Sequence, residues 1–469
     1  MEHLSLLITL GVYMLLMLGI GAWASRRSSS DADFYLGGRG LGPWVAALSA
    51  AASSSSAWTL LGVSGAAFTN GLSAFWILPA CLGGFLLNWL VLARPMRKAS
   101  AESGSVTVTE FLASDADPKW RRAFVVSASV IILLSLMVYV ASQFQAAGKT
   151  FAETLDIDFV QAVLIGGAVV LLYTLSGGFW AASVTDMVQG LVMAAASVAL
   201  PVVALIKVGG FGAMHEGLAA LDPAFVDFWR GNYGWAAVAF VVGTLGIGLG
   251  YPGQPHVVNR FMALRSDEDI RRGTWISIVW ALLIYCGMLL TGWCGRVLLT
   301  SAGDDEAMLL RLTTEIFPPV VAGVIVAAVL SAIMSTADSQ LLVCGSTASY
   351  DLPKKRPQGG SRQHVKLDRL AVLGLGGAAL IAAILIEKTI FDTVLFAWSA
   401  LGAAFGPLLL LRISGRRVAT PWALTAMWSG FAVTMVWFNT PALKGAIYEL
   451  IPSFALALAI AWRGSRKVS

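Results

Sequence analysis

The stretch Gly246-Ile247-Gly248-Leu249-Gly250-Tyr251-Pro252-Gly253-Gln254-Pro255 closes an apolar run that begins near residue 233. Its glycines and prolines make poor helix and good unwound backbone, because glycine loses the most entropy in a helix and proline lacks an N–H. The run is long enough to enter a hydrocarbon core roughly 30 Å thick. In hydrocarbon every backbone group must be satisfied internally, so a broken patch at that depth points to a protein-lined cavity rather than lipid contact. Taken alone, the segment also reads as a kink or a helix end.

Two further polar patches interrupt apolar runs. Ser53, Ser54, Ser55 and Ser56, followed by Ala57 and Trp58, sit at the centre of one, and Ser335, Thr336, Asp338, Ser339 and Gln340 cluster in another. Serines at helix contacts, bonding back to the chain, are the plainer reading of such patches. Helices interrupted in corresponding positions of two halves point instead to a transporter's binding site near the midplane.

Working outward from these segments gives thirteen apolar runs, near 4–24, 41–69, 73–93, 123–149, 159–176, 179–207, 233–252, 273–300, 317–347, 370–387, 391–411, 419–438 and 443–462. The two broken runs, second and seventh, are five apart. Runs 2 to 6 and 7 to 11 therefore have opposite orientations, as an inverted repeat requires. With 57% hydrophobic and only 13% charged residues, the chain reads as an all-α integral membrane protein. A single transmembrane domain over 1–469 is expected. It comprises an extra helix and loop at 1–40, a first repeat at 41–207, an inverted second repeat at 233–412 and two C-terminal helices at 419–469. The first run has no basic n-region or Ala-x-Ala cleavage site and is followed by Arg26 and Arg27, so it reads as a retained helix.

Of the 32 lysines and arginines, 25 fall in the loops after runs 1, 3, 7, 9, 11 and 13. The positive-inside rule makes those loops cytoplasmic, with the N-terminus outside and the C-terminus inside a bacterial-type inner membrane. The net charge of +5 is thus topological, and no basic stretch is interleaved with aromatics as nucleic-acid binding would want. Cys81, Cys286, Cys294 and Cys344 lie singly in apolar runs without metal spacing, and no Walker loop or dinucleotide fingerprint occurs. An ATP-driven pump, a redox enzyme and an organic cofactor are therefore not expected. A channel would want a continuous polar pore, whereas these polar residues converge on one patch. The stretch 351–369, with Lys354, Lys355, Arg356 and Gly359-Gly360, reads as a flexible loop. Lipid surrounds the chain, no obligate protein partner is implied, and a monomer suffices because the site lies within one chain.

Two carboxylates are expected deep in the spans. Asp186 lies about nine residues, or roughly 13 Å, beyond Gly177-Gly178, and Asp338 about 13 residues, or roughly 20 Å, before the expected cytoplasmic end of its helix. An ionised aspartate there costs at least about 3 kcal/mol, so it should be paired or serve an ion. No lysine or arginine is expected at either segment's depth. Protonated, hydrogen-bonded aspartates are the alternative. An intramembrane enzyme would need such acids paired in a catalytic constellation or a metal cluster with histidines, and neither is indicated.

Ala47-Leu48-Ser49-Ala50-Ala51-Ala52-Ser53 through Trp58, Gly250-Tyr251-Pro252-Gly253-Gln254-Pro255-His256 leading to Arg260-Phe261-Met262, and Met334-Ser335-Thr336-Ala337-Asp338-Ser339-Gln340-Leu341-Leu342 resemble the matching helices of the sodium/solute symporters, and most closely the sodium/proline branch. Thr185-Asp186-Met187-Val188-Gln189, Phe396-Ala397-Trp398 through Gly406-Pro407, and Tyr448-Glu449-Leu450-Ile451-Pro452 extend the likeness over nearly the whole chain. The resemblance implies thirteen transmembrane helices in a LeuT-type five-plus-five inverted repeat (helices 2–6 and 7–11), with one extra helix before it and two after. It implies secondary active transport in which inward sodium flux drives uptake of a small solute, L-proline first, by alternating access. Sodium- or proton-coupled symport of another small carboxylate or a neutral solute is the alternative.

The same resemblance implies a sodium ion held by Ala52, Ser55, Ala332, Ser335 and Thr336, the first three through carbonyls. It implies a substrate beside Ser56, Ala57, Trp58, Tyr139, Gln143, Ile247 and Tyr251, with plain core packing the other reading of Tyr139 and Gln143. The N–H groups at the break in run 2 suit a carboxylate. A second cation, sodium or a shared proton, is placed at Asp186, Asp338, Ser335 and Ser339. Ser54 stands where the proline transporters carry an aspartate and Ile247 where they carry a tryptophan; the first bears on ion stoichiometry and the second on the substrate.

Overall fold

The computed structural model describes residues 2–24, 36–175, 178–299, 303–353, 361–386, 388–444 and 447–467. The sequence readings of Arg26, Arg27, Gly177, Lys354, Lys355, Arg356, Gly359 and Gly360 lie outside the described residues. Among the described residues, each apolar run carries helix. Those that build the bundle are α1 (Glu2–Ala24), α2 (Pro43–Ser54), α3 (Val63–Asn70), α4 (Ile77–Leu86), α5 (Ala93–Glu102), α6 (Pro118–Leu155), α7 (Phe159–Leu175), α8 (Phe179–Val208), α9 (Trp235–Leu245), α10 (Pro255–Met262), α11 (Asp267–Leu298), α12 (Pro319–Ser346), α13 (Ser361–Leu385), α14 (Ile390–Ile413), α15 (Thr420–Asn439) and α16 (Leu450–Arg463). Among the described residues, nine helical stretches are long and apolar enough to cross a membrane, and α7 and α16 are shorter apolar helices.

Both interruptions fall where the sequence places them. Helix α2 starts on Pro43, whose fixed φ suits a first turn, and ends at Ser55, which leaves helical geometry at φ −113° and ψ 76°. The chain resumes as a wide turn of π-helix over Trp58–Gly62 before α3. Helix α9 gives way at Gly246 to a tighter 3₁₀ stretch, Gly246–Gly253, which stops at extended Gln254 before Pro255 starts α10. Proline at 252 and again at 255 removes two donors from the ladder and forces the interruption. The Gln254 amide repairs part of it, donating to the carbonyls of Gly250 at 3.1 Å and Trp398 at 3.0 Å.

Helix α8 packs against α2, α11 and α12, while α14 runs along the 3₁₀ stretch, α6, α15 and α16. Helix α2, before the first break, lies against α10, after the second, so the broken runs flank each other. The contact of α14 with the 3₁₀ stretch depends on missing side chains. A Cβ on Gly250 would stand 2.0 Å from Trp398 Nε1, and one on Gly402 would stand 2.8 Å from the Gly250 Cα.

Apart from one buried pair, the ion pairs named here lie on two faces. On the basic face Arg97 and Arg94 meet Asp267 at 2.5 and 2.9 Å, and Arg412 and Arg417 meet Asp115 at 2.8 and 2.9 Å. On the opposite face Lys149 bridges Asp304 and Glu306, Arg311 holds Glu153, and Lys444 holds Asp392. An otherwise helical chain also carries one feature absent from the sequence reading. Strand β1 (Arg416–Val418) pairs antiparallel with β2 (Ser465–Lys467), tying the loop after α14 to the segment after α16.

Candidate functional site

At the first break, backbone and hydroxyl oxygens converge. Ser335 Oγ on α12 donates toward the carbonyls of Ala52 at 3.2 Å and Ala332 at 3.3 Å. Thr336 Oγ1 reaches Ala52 O at 3.4 Å and Ser53 O at 3.2 Å. All of these residues are fully buried. Four of the five expected sodium ligands are thus brought together, and the Ser53 carbonyl joins them unforeseen. Ser55 is the residue of the break itself, and its hydroxyl is buried with no partner among the described residues. Ser54 turns its hydroxyl back to Ala51 O at 2.9 Å. The hydrogen bonds are long for hydroxyl donors, and once the hydroxyls turn their protons aside a hard cation would find their lone pairs together with the carbonyls at the break.

One helical turn away lies a charged cluster. Asp186 Oδ2 accepts from Ser49 Oγ at 2.7 Å, Ser53 Oγ at 3.2 Å and Arg260 at 3.1 Å. The same Arg260 nitrogen donates to Ser339 Oγ at 2.5 Å, and Ser339 donates to Asp338 Oδ1 at 3.2 Å. The expectation that no arginine shares the depth of these acids is corrected: Arg260 is only 1% exposed. It belongs to α10, which restarts directly after the break and carries its last turn into the core instead of leaving as a loop. Ser335 makes its bonds to the break rather than to the acids. Two carboxylates against one guanidinium leave a negative charge uncompensated if both acids are ionised. The second oxygen of Asp186 is buried without a partner, and Asp338 lines a cavity of about 10 Å³ with Tyr173, Thr174 and Thr185.

The expected substrate residues converge beside the first break. Gln143 Oε1 accepts the Ala57 N–H at 3.0 Å, Ser56 Oγ accepts the Trp58 N–H at 3.2 Å, and Tyr139 donates to Ser56 Oγ at 3.3 Å. The N–H groups assigned to a substrate carboxylate are therefore satisfied from within the chain. Tyr251 packs edge-on against Trp398 at 4.7 Å and shares a hydrogen bond with Tyr285 at 3.2 Å. Trp398 Nε1 donates to the Ile247 carbonyl at 3.0 Å, and Phe391 lies over Trp58 at 5.4 Å. Trp398, Phe391, Tyr285 and Arg260 are contributors that the sequence reading left without roles. Trp398 and Arg260 stood inside the quoted motifs, so position in a motif was their one available signal.

Among the described residues, the centre of this site is closed off from both sides. A cavity of about 660 Å³ on the opposite face ends on Ile247 and Phe391, and one of about 40 Å³ between Thr107, Pro255 and Asn259 opens on the other flank. Tyr139, Gln143 and Trp58 lie sealed between them.

Two broken helices flanking each other, with buried oxygens gathered at one break and aromatic walls beside it, define a secondary transporter of the LeuT-type fold. The chain belongs to the sodium:solute symporter family, whose family model matches residues 34–430. It is 36% identical over 463 residues to the osmoregulated proline transporter OpuE of Bacillus subtilis, covering 97% of this chain and 93% of that one. It is 38% identical to the high-affinity proline transporter PutP of Bacillus subtilis over 452 residues, covering 94% of each chain. The sodium/proline symporter of Escherichia coli is 35% identical over 461 residues, covering 96% of this chain and 90% of that one. In structure the chain is similar to a Na⁺-coupled sialic acid symporter in a substrate-bound outward-open state, with a TM-score of 0.82 at 18% identity over 99% of each chain. It is also similar to Mhp1, a nucleobase-cation-symport-1 family transporter, with a TM-score of 0.56 at 14% identity, covering 92% of this chain and 94% of that one.

Proposed function

We infer that the protein couples inward sodium flux to uptake of a small zwitterionic solute, L-proline first, across a bacterial-type inner membrane by alternating access. The observation that carries this reading is the convergence of Ser335 and Thr336 on the Ala52 carbonyl at the break. Its support is the family membership and the proline transporters among the relatives. Sodium enters as a co-substrate at Ala52, Ser55, Ala332, Ser335 and Thr336, and ties α12 to α2. The substrate carboxylate takes the N–H groups of Ala57 and Trp58, displacing the Gln143 and Ser56 oxygens that hold them. Its apolar body lies against Tyr139, Trp58, Ile247 and Tyr251.

The chain works as one domain of thirteen crossings, N-terminus outside and C-terminus cytoplasmic, with repeats at 41–207 and 233–412 and no organic cofactor. A single chain holds the whole site, and lipid is its only necessary surrounding. Reconstituted protein should accumulate labelled proline when sodium is imposed outside, and sodium-dependent counterflow should saturate at low proline. Uptake that requires sodium yet ignores proline in favour of another amino or monocarboxylic acid would replace the substrate and keep the mechanism.

A second cation sits at Asp186, Asp338 and Ser339, with Ser335 within one turn of helix. Its support is the excess of two carboxylates over one guanidinium and the partnerless Asp186 oxygen. Asp338→Asn should lower the sodium-to-solute ratio from two toward one, measured by parallel sodium and proline fluxes, and Asp186→Asn should flatten the pH dependence of uptake if the site shares a proton. Wild-type coupling, affinity and pH profile in both variants would make the acids structural.

A further inference from the structure

The β1–β2 ribbon is short of negative charge. In its antiparallel register Arg416 stands opposite Lys467 and Arg417 opposite Arg466, so two of its three rungs set cation against cation. Like charges directly opposite one another destabilise a strand pair, and a two-stranded ribbon is marginal by itself. Among the described residues Asp115 is the carboxylate paired with this region, and it holds Arg417 at 2.9 Å and Arg412 at 2.8 Å. That offsets the Arg417–Arg466 rung and leaves the Arg416–Lys467 rung without an acid. Arg416 is nevertheless fixed in place. Its guanidinium lies over the Trp462 ring at 4.0 Å, and its Nε donates to Ser465 Oγ at 2.8 Å. Its other N–H groups donate to no described residue, so a planar fork suited to a phosphate is held ready with donors to spare. Beside it a cavity of about 40 Å³ is lined by Arg412, Arg416, Arg417 and Asp115 together with apolar Phe124 and Leu408. One water needs roughly 10–15 Å³ of such space, so a group of several heavy atoms fits.

The ribbon's place in the fold says what kind of anion it meets. It follows directly on α14, which is long and apolar enough to cross a membrane, and on α16, a shorter apolar helix. Trp422 and Trp462 are exposed beside it. A Cβ on Gly464, at the turn into β2, would stand 2.2 Å from the Trp422 Cβ, so that turn is pressed against the first turn of α15. Exposed tryptophans and basic residues together at the ends of apolar helices mark the level of lipid headgroups, and basic pockets between such helices suit anionic ones. We propose that the β1–β2 ribbon is a binding site for an anionic phospholipid of the surrounding bilayer, with Arg416 and Lys467 taking the headgroup phosphate and Trp422 and Trp462 lying along the glycerol below it. The headgroup supplies the counter-charge that the ribbon lacks and so ties the end of α14 to the end of α16. This site holds whichever solute the protein carries, and it is read by binding and stability rather than by transport.

Full-length protein in phosphatidylcholine nanodiscs should unfold at a higher temperature when part of the lipid is replaced by phosphatidylglycerol, because a ligand that binds the folded form stabilises it. In native mass spectrometry the wild type should retain phosphatidylglycerol in preference to phosphatidylcholine. Each cation at an anionic surface contributes roughly fivefold to affinity, so Arg416→Gln with Lys467→Gln should weaken that retention at least about tenfold and abolish the rise in unfolding temperature. Arg416→Gln alone reads the loss if the double variant does not insert, and Arg416→Lys with Lys467→Arg should keep most of both effects. Arg271→Gln with Arg272→Gln removes the same charge elsewhere on the basic face, where both residues pair with Glu268, and should leave retention and unfolding temperature as in the wild type. Equal losses in the two Gln double variants would make the effect one of net charge and overturn the site. A wild-type unfolding temperature indifferent to phosphatidylglycerol overturns it without any variant, and displacement of the lipid by an equal concentration of inorganic phosphate would make it a site for soluble anions instead.

Discussion

Alanine at both Ser335 and Thr336 is expected to raise the sodium concentration for half-maximal uptake by about a hundredfold or more. Each hydroxyl is buried and aimed at the Ala52 carbonyl, so each truncation removes one ligand and leaves carbonyls of the break without a donor. Hydrogen bonds and ligands to a charged partner contribute about 1.5–3 kcal/mol each, and two such losses correspond to at least about two powers of ten in affinity. Thr336→Ser and Ser335→Thr keep the hydroxyls and should stay near wild type. Sodium-dependent uptake in vesicles, normalised to inserted protein, reads the effect. A double variant with unchanged sodium dependence would dissociate these oxygens from the ion.

Arg260→Met should be the most destabilising single change in the core. It removes the cation bonded to Asp186 and Ser339 and leaves two carboxylates facing each other across Ser339. Removing one partner of a buried pair costs about 3–5 kcal/mol, because the other charge stays behind without compensation. The yield of folded protein in detergent and its thermal unfolding midpoint should both fall. Adding Asp186→Asn to Arg260→Met should restore most of the loss, since the charge left unpaired is then gone, while coupling stays impaired. Additive losses in the double variant would mean that the two side chains do not act as a pair.

The positions of both breaks were legible because their cause is local. Gly246 through Pro255 cannot hold a regular ladder, and Ser53 to Ser56 compete with their own backbone. Ser335 and Thr336 were singled out through a motif, and the structure sets both hydroxyls within hydrogen-bond reach of the Ala52 carbonyl. Arg260 was misread for a physical reason. A charge five residues beyond a proline pair looks like the start of a loop, and only the restart of α10 inside the bundle makes it a core residue. Its partner Asp186 is 74 residues distant in sequence, and no local pattern links them. The cavity between Ile247, Phe391 and Glu449 was invisible for the same reason, since it joins three helical segments far apart in the chain. The β1–β2 ribbon was missed because each strand has three residues, too few to show an alternating pattern.

The hydrogen bond from Ala57 N–H to Gln143 Oε1 has a consequence for the return half of a carrier's working cycle. After releasing its cargo, a symporter must close and swing back unladen. A donor stripped of its ligand and then sealed from water would cost about 1–3 kcal/mol at that step and slow every turnover. In the binding mode we propose, the glutamine carries the donor through, as a passenger in the seat the solute has left, so the unladen form can shut without a debt of solvation. In that mode the same side chain is evicted on each loading, which sets a floor on how tightly any solute can be held and helps keep its release fast.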